Sequence, residues 1–189
     1  MAATEQEVLT TYVGDMHALV SHIYQAIDKQ LQLLDNRAGF LTKATKYRDT
    51  LAEQMTELQT RLNELGGSGT HPIKEGVAAA LGVAAGVIDK IRSSEVAKAM
   101  RDDYTAINHA IIAYVMLLST AEAAGDSKTA EMAKRHLTAN AEFVMEINNA
   151  MPKLVIDDLS KDGLSVKAGA LDAAEKSLQT VWKEAAAKQ

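Results

Sequence analysis

Apolar residues recur at intervals of three and four along most of the chain, the spacing that gathers one face of an α-helix. Thr4 and Glu7 form a capping box at the start of the first such stretch. It places Leu9, Tyr12, Met16, Leu19, Ile23, Ile27 and Leu34 on one side. A second stretch carries Phe40, Tyr47, Leu51, Met55, Leu58, Leu62 and Leu65, and it stops at GGSG, residues 66–69. Pro72 opens PIKEGVAAALGVAAGVIDKIR, whose small residues suit close approach to other helices; it reads as a short crossover helix. A third long helix begins at Ser93 or Ser94. It is apolar on almost every face between Ala110 and Leu118, which predicts the most buried helix of the set. Gly125 and Asp126 make a turn, and a fourth helix runs from Ser127 towards Met151, where Pro152 predicts a boundary or kink, with KLVIDDL as a candidate continuation beyond it.

After this, SKDGLS, residues 160–165, reads as a linker, and VKAGALDAAEKSLQTVWKEAAAKQ as an amphipathic helix with Leu171, Leu178 and Trp182 on one side. The predicted fold is all-α. Residues 1–159 form an antiparallel four-helix bundle with a crossover helix between the second and third long helices, and residues 160–189 form a linker and tail helix. A single long crossover is the ferritin-like connectivity.

Composition narrows the chemistry. With 189 residues the chain has length for one full core, and with only 4% aromatics that core must be aliphatic. The absence of cysteine removes disulfides, thiolate metal sites and thiol nucleophiles together. A net charge of −5 without a basic stripe excludes a phosphate-backbone binder, so no nucleic-acid partner is expected. The start MAATEQEVLTTYVGD lacks a secretory leader. The apolar run at residues 76–88 falls short of the roughly 20 residues needed to cross a bilayer. No membrane span and a cytoplasmic location are the expectations. GVAAALG lacks the lysine and strand of a phosphate loop, and no nucleophile motif appears.

The segments RDDYTAINHAIIAYVMLLSTAEAAGDSKTAEMAKRHL, GDMHALVSHIYQAI and KEGVAAALGVAAGVIDKIR together resemble bacterial ferritin-like proteins, in particular the YciF/YciE-type stress-associated group. The resemblance covers residues 5–158 and rests on helix order and scattered positions. It implies a bundle in a superfamily whose members use di-iron or di-manganese carboxylate centres for oxidation, iron storage or peroxide handling. It would put the inward acids at Leu19, at Thr50, at Asn108 or Ile111, and at Asn140.

Such a centre needs one Glu from each of two helices and Glu-x-x-His from each of the other two. No Glu-x-x-His occurs in the chain. At 100° per residue, Leu51, Leu58 and Leu62 turn Glu53 and Glu57 outward, and Leu137, Ala141 and Val144 do the same to Glu142 and Glu146. Tyr104, Ile107, Ile111 and Leu118 share a face with no acid at its centre. No cofactor is therefore expected; the alternative is iron or manganese held by Asp15, His22 and His109. Asp15 and His22 share one border of the first helix, where hydrogen bonding or solvation accounts for them, and His17 lies on the other border. His109 faces the crossover or a neighbouring subunit. His136, flanked by Arg135 and Lys134, is expected near the surface, and His71 in a loop.

Polar residues on the core faces carry a further expectation. Tyr12, Tyr104, Tyr114 and Asn140 are placed to meet near the bundle centre as a small polar network in place of a metal. Ile112 and Met116 are candidates for a homodimer interface, and the tail helix for docking a protein partner. The function expected is that of a non-catalytic bundle acting through oligomerisation or protein interaction in a stress response. The alternative is a divergent metal-binding protein with oxidase, peroxide-handling or iron-binding activity.

Overall fold

Five helices make up the described part of the chain: α1 (Glu5–Gln30), α2 (Ala38–Glu64), α3 (Val96–Ala123), α4 (Ser127–Lys161) and α5 (Ala170–Ala186), with a 3-10 turn at Leu31–Leu34. The structure is a computed structural model that describes residues 4–34, 37–67 and 96–188. The crossover helix expected at residues 72–92, and His71 before it, lie outside the described residues.

Local chemistry sets the helix ends. The Glu7 N–H donates to Thr4 Oγ1 and the Thr4 N–H to Glu7 Oε2, the reciprocal pair that starts α1. At the end of α2, Gly66 takes a left-handed φ of 77°, which lets its N–H reach Asn63 O and that of Gly67 reach Leu62 O. Gly125 does the same at the end of α3, at φ 67°. Asp126 then caps α4 by accepting from the Thr129 N–H.

Contacts fix the helix directions. Gln6 on α1 donates to Leu65 O at the end of α2, so these helices run antiparallel. Arg37 meets Asp158 while Arg61 meets Asp126, so α2 and α4 are antiparallel as well. The Ala97 N–H donates to Asp158 and Tyr114 meets His136, which makes α3 and α4 antiparallel. Consequently α2 and α3 run parallel, and Gly67 and Val96 lie at opposite ends of a bundle roughly 40 Å long. A connection of that reach between the second and third helices is the ferritin-like connectivity. α1 packs on α2 and α3, α4 packs on the same two, and α5 packs on α4.

Each of the four bundle helices turns one stripe inward with alternating steps of three and four. On α1 it is Leu9, Val13, Met16, Val20, Ile23, Ile27, Gln30 and Leu34; on α3, Val96, Met100, Asp103, Ile107, Ala110, Tyr114, Leu117 and Ala121. On α2 it includes Tyr47, Leu51, Gln54 and Leu58, and on α4 it includes Ala133, His136, Asn140, Phe143 and Ile147. These registers correct several sequence expectations. α4 packs through His136 and Asn140, leaving Leu137 half-buried and Ala141 exposed. Its polar stripe residues outrank apolar neighbours because they have partners across the bundle. α3 is not buried all round: Ile112 is 61% exposed, Met116 50% and Val115 42%. A four-helix bundle needs only one stripe from each helix, so the second apolar face of α3 stays outside. By length and composition alone α3 would suffice to cross a membrane.

Pro152 does not end α4, which continues to Lys161. Proline removes one helical hydrogen bond, but beyond it Leu154 is buried and Asp158 is bound by Arg37 and the Ala97 N–H. The tail helix buries no residue; Leu171 and Leu178 are half-buried and Trp182 is exposed.

Candidate functional site

Five polar side chains meet in the middle of the bundle. Tyr47 and Gln54 come from α2, Tyr114 from α3, and His136 and Asn140 from α4, all at most 4% exposed. Each occupies a stripe position, so the helix period itself aims it at the axis.

The hydrogen bonds among them are directional, and one feature fixes the set. Asn140 Nδ2 donates to the His136 carbonyl at 2.7 Å, so Asn140 Oδ1 must face the other way, where it accepts from the Tyr47 hydroxyl at 2.5 Å. Asn140 Nδ2 also donates to Gln54 Oε1 at 3.2 Å, which orients that amide. The Tyr114 hydroxyl lies 3.2 Å from Gln54 Oε1 and 3.1 Å from His136 Nδ1, with one proton for two acceptors. His136 Nε2 meets Glu57 Oε2 at 3.2 Å, and the same carboxylate oxygen accepts from Arg135 at 2.7 Å. A neutral imidazole fits this arrangement in one tautomer: Nε2–H donates to Glu57 and Nδ1 accepts from Tyr114. Burial lowers the His136 pKa, partly countered by Glu57. The Tyr47 ring stacks on Phe143 at 4.0 Å between centroids, so its phenol is held by packing as well as by Asn140.

A second polar position lies on the stripes nearer the other end of α3. Asp103 is 4% exposed, and burial pushes its carboxyl up to about 8 although Gln30 hydrogen-bonds to it. Gln30 Oε1 and Gln54 Nε2 are buried without a hydrogen-bond partner among the described residues.

The structure brings together two of the four residues expected in the network, Tyr114 and Asn140. Tyr12 and Tyr104 stay half-buried at the edge of the core, each four residues or fewer from a stripe position that an aliphatic or acid side chain holds. His136 was expected near the surface and is instead central, because the cations beside it, Lys134 and Arg135, point outward while its own position faces the axis. Tyr47, Gln54, Asp103 and Gln30 were not identified as site residues. A strict alternation of three and four, continued through polar positions, is the signal that finds them.

Of the metal candidates, Asp15 and His109 are exposed and His22 is half-buried, on α1 and α3. Among the described residues no group of three or more His, Asp or Glu side chains is placed to hold a metal ion. The positions that the ferritin-like resemblance assigns to inward acids also move: Thr50, Asn108 and Ile111 are only half-buried, and Asn108 donates to its own helix at Tyr104 O. Leu19 is buried, but Val20 and Ile23 hold the stripe. The mid-bundle donor set is amide, phenol and imidazole, with both His136 nitrogens engaged, and it does not fit a di-metal carboxylate centre. Two carboxylates are buried among the described residues, Asp103 and Asp158, and the second is paired with Arg37 at the bundle end.

A surface cleft of about 480 Å³ opens between the start of α2, α4 and the tail helix. Its cations are matched at home: Arg37 by Asp158, Lys43 by Glu146 and Lys153 by Asp157. It is therefore a poor anion pocket.

A family model, the domain of unknown function DUF892, matches residues 4–160. The chain belongs to the DUF892 family. The match takes in all four bundle helices and stops at the end of α4, before the tail helix of this DUF892 protein. The crystal structure of a protein from Xanthomonas campestris pv. campestris is similar, with a TM-score of 0.71 at 16% identity, covering 86% of this chain and 100% of that one. At that identity the likeness extends to the helical fold alone. No curated protein matches this DUF892 chain.

Proposed function

We propose that this DUF892 protein is a non-catalytic ferritin-like bundle that acts by assembling with other protein chains, in a cytoplasmic stress response of the kind its resemblance to the YciF/YciE-type group implies. The observation that carries the reading is the mid-bundle network. In the middle of the bundle Tyr47, Gln54, Tyr114, His136 and Asn140 hydrogen-bond to one another, and of the positions that the ferritin-like resemblance gives to inward acids Asn140 alone belongs to this set. Apart from Gln54 Nε2, their donors and acceptors are engaged in holding three helices together, which leaves little for a substrate. Chemistry withdrawn from the interior leaves the outer surface as the working part, and the apolar outer face of α3 is its most conspicuous feature.

Two measurements test the reading on the full chain purified without chelator: metal content by elemental analysis, and mass in solution by light scattering across a concentration series. The reading expects substoichiometric iron and manganese and a mass that rises above the monomer. Stoichiometric metal with turnover of oxygen or peroxide would overturn it in favour of the metal-binding alternative at Asp15, His22 and His109.

A further inference from the structure

We infer that the outer face of α3 is an antiparallel self-docking surface, occupied by α3 of a second copy about a two-fold axis at Ile112. This rests on the reading that the protein assembles, and goes beyond it by naming the occupant and its direction.

The pattern along α3 carries the argument. With 100° per residue, Arg101, Thr105, Asn108, Ile112, Met116, Ser119 and Ala123 all fall within roughly 40° of Ile112, and Val115 within roughly 60°. This row is opposite the buried stripe, and Arg101, Thr105, Ile112, Val115, Met116 and Ser119 are exposed. About Ile112 the row matches its own reverse in part: the small hydroxyl residues Thr105 and Ser119 stand seven positions either side of it, while the large apolar Met116 comes opposite Asn108. An isologous interface requires such self-complementarity, since each contact occurs twice. Antiparallel pairing sets Ile112 on Ile112 and Thr105 on Ser119.

Charge selects the direction. Arg101 sits at one end of the face and Glu122, also exposed, at the other, on the same flank. Antiparallel docking brings each Arg101 to the other copy's Glu122, whereas parallel docking opposes Arg101 to Arg101 and Glu122 to Glu122. Among the described residues Arg101 pairs with its neighbour Asp102, on the opposite flank, at 2.7 Å. A single helix pair of this length covers on the order of 400 Å² per partner, half the usual ~800 Å², so the dimer is expected to be weak, with Kd micromolar or above.

The chain has no cysteine, so engineered cysteines report pairing directly. Under mild oxidation, I112C alone is expected to cross-link to a dimer. T105C and S119C are expected to cross-link when mixed and not separately. Charge reversal R101E should weaken association about three- to tenfold, from two exposed pairs, and the double variant R101E/E122R should restore it. Cross-linking of T105C alone at the rate of the mixture overturns the antiparallel assignment. Association without any of these cross-links places the interface elsewhere, sinking this inference while leaving assembly intact. A strictly monomeric protein up to about 1 mM removes both. If the thiol of monomeric I112C resists alkylation, the face is covered within its own chain and no second copy docks there.

Discussion

Replacing Asn140 by leucine, close to it in size, probes the interior network most directly. Asn140 is fully buried and serves three groups: it accepts from Tyr47 and donates to Gln54 and to the His136 carbonyl. In N140L the Tyr47 hydroxyl has no acceptor. Gln54 Oε1 then depends on the single proton of Tyr114, for which His136 Nδ1 also competes. Two buried groups left short of a partner cost about 1–3 kcal/mol each, partly offset by the added apolar burial, for a net loss of about 2–4 kcal/mol. In a domain of this size that corresponds to a fall of about 5–15 °C in Tm. Thermal and urea unfolding followed by far-ultraviolet circular dichroism measures it. The decisive comparison is Y47F, which keeps the ring stacked on Phe143. Alone it should destabilise by about 1–2 kcal/mol, by orphaning Asn140 Oδ1. In the N140L background it should stabilise, because it removes the hydroxyl that N140L stranded. Equal losses from Y47F in both backgrounds would refute the hydrogen-bond account of this core.

Three further outcomes are expected. Asp103 holds its proton in the folded state up to about 8, well above its unfolded range near 4, so stability falls as pH rises between those values. D103N should flatten that slope and raise the urea midpoint at pH 8 more than at pH 5, and a parallel shift at both values would contradict the buried-acid assignment. His136 has the opposite sign: its lowered folded pKa means that stability present above the unfolded value near 6.5 is lost as pH falls below it, and H136Q should remove that acid-side loss. D158A breaks the Arg37 pair and strips the Ala97 N–H of its acceptor, and is expected to cost about 2–4 kcal/mol, with faster amide exchange in the first turn of α3.

The order of the described helices and most of their aliphatic core positions were legible because burial and period agree there: Leu9, Met16, Ile23, Leu51 and Leu58 are apolar and inward together. Legibility failed wherever the two diverge. His136 and Asp103 are polar and inward, Val115 apolar and outward, and a reading that ranks positions by hydrophobicity misplaces both kinds. Pro152 left the end of α4 open for a related reason. A local breaker says nothing about Arg37, 115 residues away in the chain, whose pairing with Asp158 anchors the helix beyond it. The network also needed partners from three helices, and no single segment shows that Tyr47, Tyr114 and Asn140 will share a layer.

The placement of the one tryptophan has a practical corollary. Trp182 belongs to the tail helix, 44% exposed and outside the bundle core, while the buried aromatic rings of the bundle are tyrosine and phenylalanine. Intrinsic emission excited at the tryptophan band therefore reports on the appendage and is nearly blind to the four-helix body. A change in that signal with salt, temperature or an added protein marks the tail lifting or being covered, and an unchanged signal says nothing of whether the bundle is still folded. The molecule thus carries an optical probe confined to the segment that the family model leaves out.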